Sequence, residues 1–197
     1  MKLVLATGNK GKIREFSAAF EKLGYECVSI KEVCDVPEPE ETGTSFAENA
    51  RQKATYYMEA CQLPCLADDS GLVVDALKGA PGVYSARYAG EHGDDGANNA
   101  KLIAELQKQD NPDWTGHYVA ALCLAFPDGR TYEVEGSCDG TIIPEAKGEC
   151  CFGYDPYFLV PEYNKTMAEI TMDQKEAISH RGKATRQLVA LLEADHD

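Results

Sequence analysis

The sequence predicts an α/β fold with a mixed sheet, and three observations carry that prediction. An apolar run, Leu3-Val4-Leu5-Ala6, passes through a short glycine-containing loop into a segment with Ile13, Phe16, Phe20 and Leu23 at helical spacing, which reads as strand, loop, helix. Short apolar runs then alternate with helical patterns along the chain. Residues 118–126 and 131–134, joined by Pro127-Asp128-Gly129-Arg130, read as a β-hairpin, whose antiparallel pair makes the sheet mixed rather than purely parallel.

Taken in order, Gly24 sits where a C-cap ends the first helix, and residues 25–30 form a second strand. Residues 35–43, with Pro37 and Pro39 among acids, must be loop. Ser45, with Glu48 three residues on, makes a capping box for a helix running to about residue 61. Residues 63–67 form a short buried strand and Leu72-Val73-Val74 a further one, with Asp68-Asp69-Ser70-Gly71 at their junction. A turn-rich loop over 79–84 precedes a helix over about 98–107, and the last helix covers about 181–193 with Ser179 as its N-cap.

The chain has 197 residues, 44% of them hydrophobic, enough for a sizeable core in one domain, 1–197. Nineteen basic against 33 acidic residues give a formal net charge of −14, which argues against broad contact with nucleic acid or anionic membrane and favours a small partner. No apolar stretch approaches the roughly 20 residues of a membrane span, and the first apolar run is too short for a signal peptide, so the expectation is a cytoplasmic protein. Eight cysteines contain no C-x2-C pair and share no ligand spacing with the four histidines, so free, mostly buried thiols are expected rather than zinc or disulfides.

Chemistry concentrates in a few segments. In Thr7-Gly8-Asn9-Lys10-Gly11-Lys12 two glycines allow close backbone approach to an anion, the following helix start offers N–H groups, and the lysines add charge. Lys2, Lys10, Lys12 and Arg14 all precede the first acid, Glu15, reversing the global sign of charge. This is a phosphate-holding loop but not a Walker A loop, which needs four residues between the glycines and Ser or Thr after the lysine. Asp68 and Asp69 lie between apolar runs, where unpaired carboxylates are costly; neighbouring residues on extended chain point to opposite sides, so one of the two faces a given ligand, and the same holds for Glu40 and Glu41. One carboxylate from each pair, completed by water and phosphate oxygens, is a set that suits Mg²⁺. Glu48 is read as a cap, and Lys53 as either a solvated helix lysine or a phosphate contact. Farther on, Phe152-Gly153-Tyr154-Asp155 combines aromatics with a carboxylate suited to stacking a base and fixing its edge, or to packing in a core. Lys175, His180, Arg181 and Lys183 gather donors around the start of the final helix, where cations are unfavourable unless an acceptor-rich ligand answers them.

These segments, in this order, resemble the inosine/xanthosine triphosphate pyrophosphatases over nearly the whole chain. The resemblance rests on Thr7-Gly8-Asn9 with Lys12, Glu41-Thr42-Gly43 leading into Phe46 and Glu48-Asn49-Ala50, and Ala67-Asp68-Asp69-Ser70-Gly71. It continues in Gly79-Ala80-Pro81-Gly82 with Tyr84-Ser85-Ala86-Arg87-Tyr88, in Phe152-Gly153-Tyr154-Asp155-Pro156, and in Ile178-Ser179-His180-Arg181. Cys150-Cys151 departs from the family, which usually has glycine just before the Phe. The resemblance implies an elongated single α/β domain with a long mixed sheet, two lobes and an active-site cleft between them. It also implies Mg²⁺-dependent hydrolysis of ITP, dITP and XTP to monophosphate and pyrophosphate, which cleanses the nucleotide pool, and a homodimer. Glu40 and Asp69 would hold Mg²⁺, with Asp69 also activating water. Thr7, Gly8, Asn9, Lys10, Gly11, Lys12, Lys53 and Ser70 would serve the phosphate side. Phe152 would stack on the purine, Gly153, Tyr154 and Asp155 would line the base site, and Lys175, His180 and Arg181 would donate to the 6-oxo group.

Overall fold

The computed structural model of the chain describes residues 1–110, 114–149 and 153–196. Seven strands form one mixed sheet in the order β2-β1-β3-β4-β5-β6-β7: β1 (Lys2–Leu5), β2 (Glu26–Ser29), β3 (Cys65–Val74), β4 (Thr115–Ala125), β5 (Thr131–Ile142), β6 (Phe158–Val160) and β7 (Lys165–Thr166). β1 pairs in parallel with both β2 and β3, while β6 is antiparallel to β5 and to β7. The helices are α1 (Lys10–Phe20), α2 (Ile30–Val33), α3 (Phe46–Cys61), α4 (Asp95–Gln107), α5 (Met172–Ile178) and α6 (His180–His196). The chain divides into two compact units, one made of 1–69, 120–136 and 183–197 and the other of 70–119 and 137–182.

In the first unit the expected apolar face of α1 places Phe16 and Phe20 in a core with Leu3, Leu5, Leu66, Leu122, Leu124 and Leu188. Each such side chain contributes about 1.5–3 kcal/mol when fully buried, which is what holds a short amphipathic helix on the sheet. A 3₁₀ turn, Glu21–Leu23, follows α1, and Gly24 ends it with φ 80, a left-handed conformation that costs glycine little. Ser45 caps α3 as expected, its Oγ accepting from Glu48 N, while the Glu48 carboxylate accepts from Thr44 N and Oγ1.

The register of β1 against β3 positions the chemistry. Leu5, the last residue of β1, lies opposite Leu66, so β3 continues past the end of β1 through Ala67, Asp68 and Asp69. Thr7–Asn9 leaves from that same carboxyl end, and the order β2-β1-β3 makes it a switch point, where open α/β sheets bind ligands. The expectation of two strands with a junction at Asp68-Asp69-Ser70-Gly71 is corrected: β3 is a single ten-residue strand through all four residues. Polar composition suggested a turn, but tertiary partners satisfy the carboxylates and the strand continues.

In the second unit Leu72, Val74, Leu102, Leu106, Tyr118, Ile142, Tyr154 and Phe158 form the core. The predicted helix over 98–107 begins three residues earlier, capped by Asp94, whose Oδ1 accepts from Ala97 N. The final helical region is two helices, with α5 opened by a Thr171–Gln174 capping box. Ser179 caps α6 as read from the sequence, its Oγ accepting from Gly182 N at 3.0 Å. Among the described residues, Cys27, Cys34, Cys61, Cys65, Cys123 and Cys138 are free thiols, and no helix is long and apolar enough to cross a membrane.

Candidate active site

The loop after β1 is organised by its own side chains. Asn9 is the N-cap of α1, with Oδ1 accepting from Gly11 N at 2.9 Å and Lys12 N at 3.1 Å, and Thr7 Oγ1 accepts from Asn9 N at 3.1 Å. The helix start was expected to offer these amides to an anion; in the structure Asn9 holds those of Gly11 and Lys12. Ser29 Oγ donates to the Thr7 carbonyl, tying the loop to the end of β2. Gly8, Asn9, Lys10 and Gly11 are exposed, whereas Lys12 turns inward and donates from Nζ to Asp68 Oδ1 at 2.6 Å.

Asp68 and Asp69 address different helices, as alternation on a strand requires. Asp68 answers Lys12 of α1, while Asp69 Oδ2 accepts from Asn49 Nδ2 of α3 at 3.0 Å. One turn along α3 from Asn49, Lys53 Nζ donates to Glu41 Oε1 at 2.6 Å. Burial raises the Asp69 carboxyl from its usual 3.8 to about 6; the Asn49 hydrogen bond opposes this, Glu41 reinforces it, and Lys53 counteracts it. For Lys53, burial disfavours the ammonium, but Glu41, Asp69 and Asp68 outweigh it and its pKa is raised. Sequence reasoning named Glu40 for the metal. The structure brings Glu41 into the field of Asp69, whereas Glu40 is exposed and engaged by no described residue.

The second unit gathers the base-side residues. Phe152 lies outside the described residues. Gly153, at φ 55, has both backbone groups held by α4: its N–H donates to Asp95 Oδ2 and its carbonyl accepts from Asn99 Nδ2, each at 2.9 Å. Tyr154 is 4% exposed and donates from its hydroxyl to the Ser85 carbonyl at 2.7 Å, so its side chain is a core anchor. Asp155 is buried and accepts from Lys175 Nζ on Oδ2 at 2.5 Å and from Tyr118 Oη on Oδ1 at 3.2 Å. Burial pushes its carboxyl up, against Lys175, Tyr118 and Arg181. The His180 ring stacks on Tyr118, centroids 4.8 Å apart and planes 13° from parallel, and Arg181 Nη2 donates to Ser70 Oγ at 3.2 Å. Lys175 and Tyr118 thus meet at Asp155, Arg181 acts on the same carboxylate through its charge while bonding Ser70, and His180 lies against the Tyr118 ring.

Sequence reasoning missed Tyr118, Asn99, Asp95 and the part played by Asn49. Nothing in the alternating pattern of β4 distinguishes Tyr118 from a core aromatic. Asn49 did carry a signal: with Lys53 it is polar on a helix face otherwise built of Phe46, Ala50, Ala54 and Tyr57, and two polar groups in a buried stripe need partners.

A model of the Ham1 family matches residues 3–191. The chain is 52% identical over 192 residues to a dITP/XTP pyrophosphatase of Desulforamulus reducens, covering 98% of this chain and 96% of that protein. It is 50% identical over 190 residues to a dITP/XTP pyrophosphatase of an Exiguobacterium species, with 96% of each covered. Among solved structures, the Staphylococcus aureus Ham1 protein superimposes with a TM-score of 0.91 at 41% identity, covering 99% of this chain and all of that one. A HAM1 protein from Coxiella burnetii gives 0.92 at 37% identity, covering 98% and 99%.

Proposed function

Since the chain belongs to the Ham1 family, we propose that it hydrolyses deaminated purine nucleoside triphosphates, dITP, ITP and XTP, to the monophosphate and pyrophosphate. The observation that carries the reading is the Asp69 carboxylate, buried at the carboxyl end of parallel strands among Asn49, Lys53 and Glu41. In the metal-free protein burial lifts this carboxyl to about 6, so at neutral pH it is ionised and can meet a cation or accept a proton.

The donor set fits Mg²⁺. Asn49 occupies Asp69 Oδ2 and leaves Oδ1 for a cation, hard carboxylate oxygens are the ligands Mg²⁺ prefers, and the exposed Glu40 carboxylate is available while Lys53 engages Glu41. Asp69 and Glu40 would hold the ion. When bound, the metal neutralises charge on the triphosphate and eases deprotonation of water. Lys12 and Lys53 hold phosphate oxygens, and Thr7 to Gly11 shape the loop around them. Water attacks the α-phosphorus, its proton passes to Asp69, and the bond to the bridging oxygen breaks with pyrophosphate as leaving group.

Lys175, His180 and Arg181 supply donors to the 6-oxo group, with Phe152 stacking on the purine. Asp155 acts by holding Lys175. Adenine presents a 6-amino donor where these donors meet it, and unpaired polar groups in a buried site reduce the rate by orders of magnitude. An enzyme of this kind serves the cytoplasmic nucleotide pool, keeping deaminated bases out of DNA and RNA. Incubation with dITP, dATP and dUTP plus Mg²⁺ in H₂¹⁸O tests the reading: label in dIMP, with unlabelled pyrophosphate, is expected. Labelled phosphate with dIDP, or equal use of dATP, would refute it.

A further inference from the structure

We infer that Asn49 is a positioning residue for this reaction, its carboxamide fixing the Asp69 carboxylate to the loop that carries Glu40 and Glu41. The inference rests on the reading of Asp69 given above. Gly43 N donates to Asn49 Oδ1 at 2.8 Å, which settles the orientation of the amide, so that it is Nδ2 that faces Asp69 Oδ2 at 3.0 Å. One rigid group therefore spans the loop and the strand. Asn49 is 1% exposed, with its backbone N–H bonded to the Ser45 carbonyl inside α3, so the side chain has little freedom to swing away.

The loop is fitted to this contact. A Cβ on Gly43 would lie 2.5 Å from Asn49 Oδ1 and 2.8 Å from Glu48 Cβ, so only glycine lets the backbone come this close. A neutral amide also suits the task better than a charged donor. It orients one carboxylate oxygen, leaves the negative charge on Asp69 for a cation, and takes no proton itself. A buried amide with no partners would destabilise the helix face; here the carbonyl and one N–H are both used, which marks the pair of bonds as a built feature.

Asn49→Asp separates the two halves of the contact, because it keeps an acceptor for Gly43 N but turns an acceptor toward Asp69. Asn49→Ala removes both bonds and leaves room for water, and Asp69→Asn serves as the control for the underlying reading. With dITP and Mg²⁺, both Asn49 variants should lose roughly 10–100-fold in kcat while the nucleotide KM stays within about threefold. The rise in melting temperature that Mg²⁺ gives the wild type should shrink in both, a readout independent of turnover. An Asn49→Asp protein with wild-type kcat and an undiminished Mg²⁺ shift would show that Asn49 only holds the loop, and would overturn the inference. So would an Asn49→Ala protein with both properties intact. Full activity in Asp69→Asn would instead sink the reading of Asp69 itself. Circular dichroism confirms the fold of each variant; should Asn49→Asp not fold, Asn49→Ala decides by the same two readouts.

Discussion

Lys53 Nζ and Glu41 Oε1 lie 2.6 Å apart, both side chains largely buried, while Glu40 immediately before is exposed. On the proposed reading the two glutamates therefore have different work. Glu41→Gln should free the Lys53 ammonium and change nucleotide KM, with the Mg²⁺ requirement little altered. Glu40→Gln should raise the Mg²⁺ concentration needed for half-maximal rate by about 10–100-fold, as loss of a metal contact typically does. Titrating Mg²⁺ at saturating dITP in the two variants checks this, and the reverse pattern would exchange the roles.

If Asp69 serves as base and metal ligand as proposed, Asp69→Asn should reduce kcat at least about 10²-fold. In the metal-free protein the same change should stabilise. A carboxyl at 3.8 when unfolded and about 6 when folded is protonated in both states below pH 4, so it brings no penalty there. As pH rises from about 4 to 6 the unfolded state ionises first, and the folded state loses stability that it does not regain above 6. Asp69→Asn escapes that loss, a difference on the order of 1–3 kcal/mol at pH 7.5 that vanishes near pH 4. Melting curves in EDTA at the two pH values measure it.

Arg181→Ala should lower hydrolysis of ITP more than that of ATP. On the proposed reading the variant loses a donor that the 6-oxo group accepts and the 6-amino group opposes, so the ratio of kcat/KM for ITP over ATP should fall by tenfold or more, about 1.4 kcal/mol of discrimination. An unchanged ratio with both rates reduced would move Arg181 to the phosphates.

Tyr118→Phe should narrow the same ratio by a smaller factor. The ring that stacks on His180 remains, but Asp155 loses the hydroxyl that donates to Oδ1 and keeps its bond from Lys175. Loss of a hydrogen bond to a charged group is worth about 1.5–3 kcal/mol, enough to loosen Lys175. Equal kcat/KM values for wild type and variant on both nucleotides would confine Tyr118 to packing.

Tyr84 is 60% exposed, and the Arg87 guanidinium lies 5.3 Å from its ring centroid, a pair of residue types enriched at protein interfaces. A homodimer using this surface should sediment as twice the monomer mass at micromolar concentration, and Tyr84→Ala with Arg87→Glu should shift it toward monomer. A wild-type protein that sediments only as monomer rules the dimer out.

Much of this was legible in the residues because the periodic signals were strong. Phe16 and Phe20, the Ser45 cap, Gly24 and the hairpin turn each act over a few positions, and the structure keeps them. Other features depend on groups distant in sequence. Asp68-Asp69-Ser70-Gly71 is strand because Lys12 and Asn49 answer its carboxylates, and no local pattern announces that. The choice between Glu40 and Glu41 likewise turns on where Lys53 reaches. Helix α5 leaves no periodic mark, since seven residues give too short a period to stand out; its one local signal is the capping box of Thr171 and Gln174.

Lys12 and Lys53 each have a carboxylate in hand before any nucleotide arrives. A cation already answered exerts little standing pull on the bare phosphate that surrounds every protein in a cell. Displacing Asp68 or Glu41 with an inorganic anion would cost each carboxylate its ammonium contact, so on the proposed reading phosphate or pyrophosphate alone is a poor visitor, and the site should stay clear of its own product until metal is present. A metal–triphosphate complex brings a cation for the carboxylates and anions for the lysines in one step. Recognition would then be an exchange of partners, and calorimetry should find pyrophosphate bound weakly by the free protein and more tightly once Mg²⁺ is added.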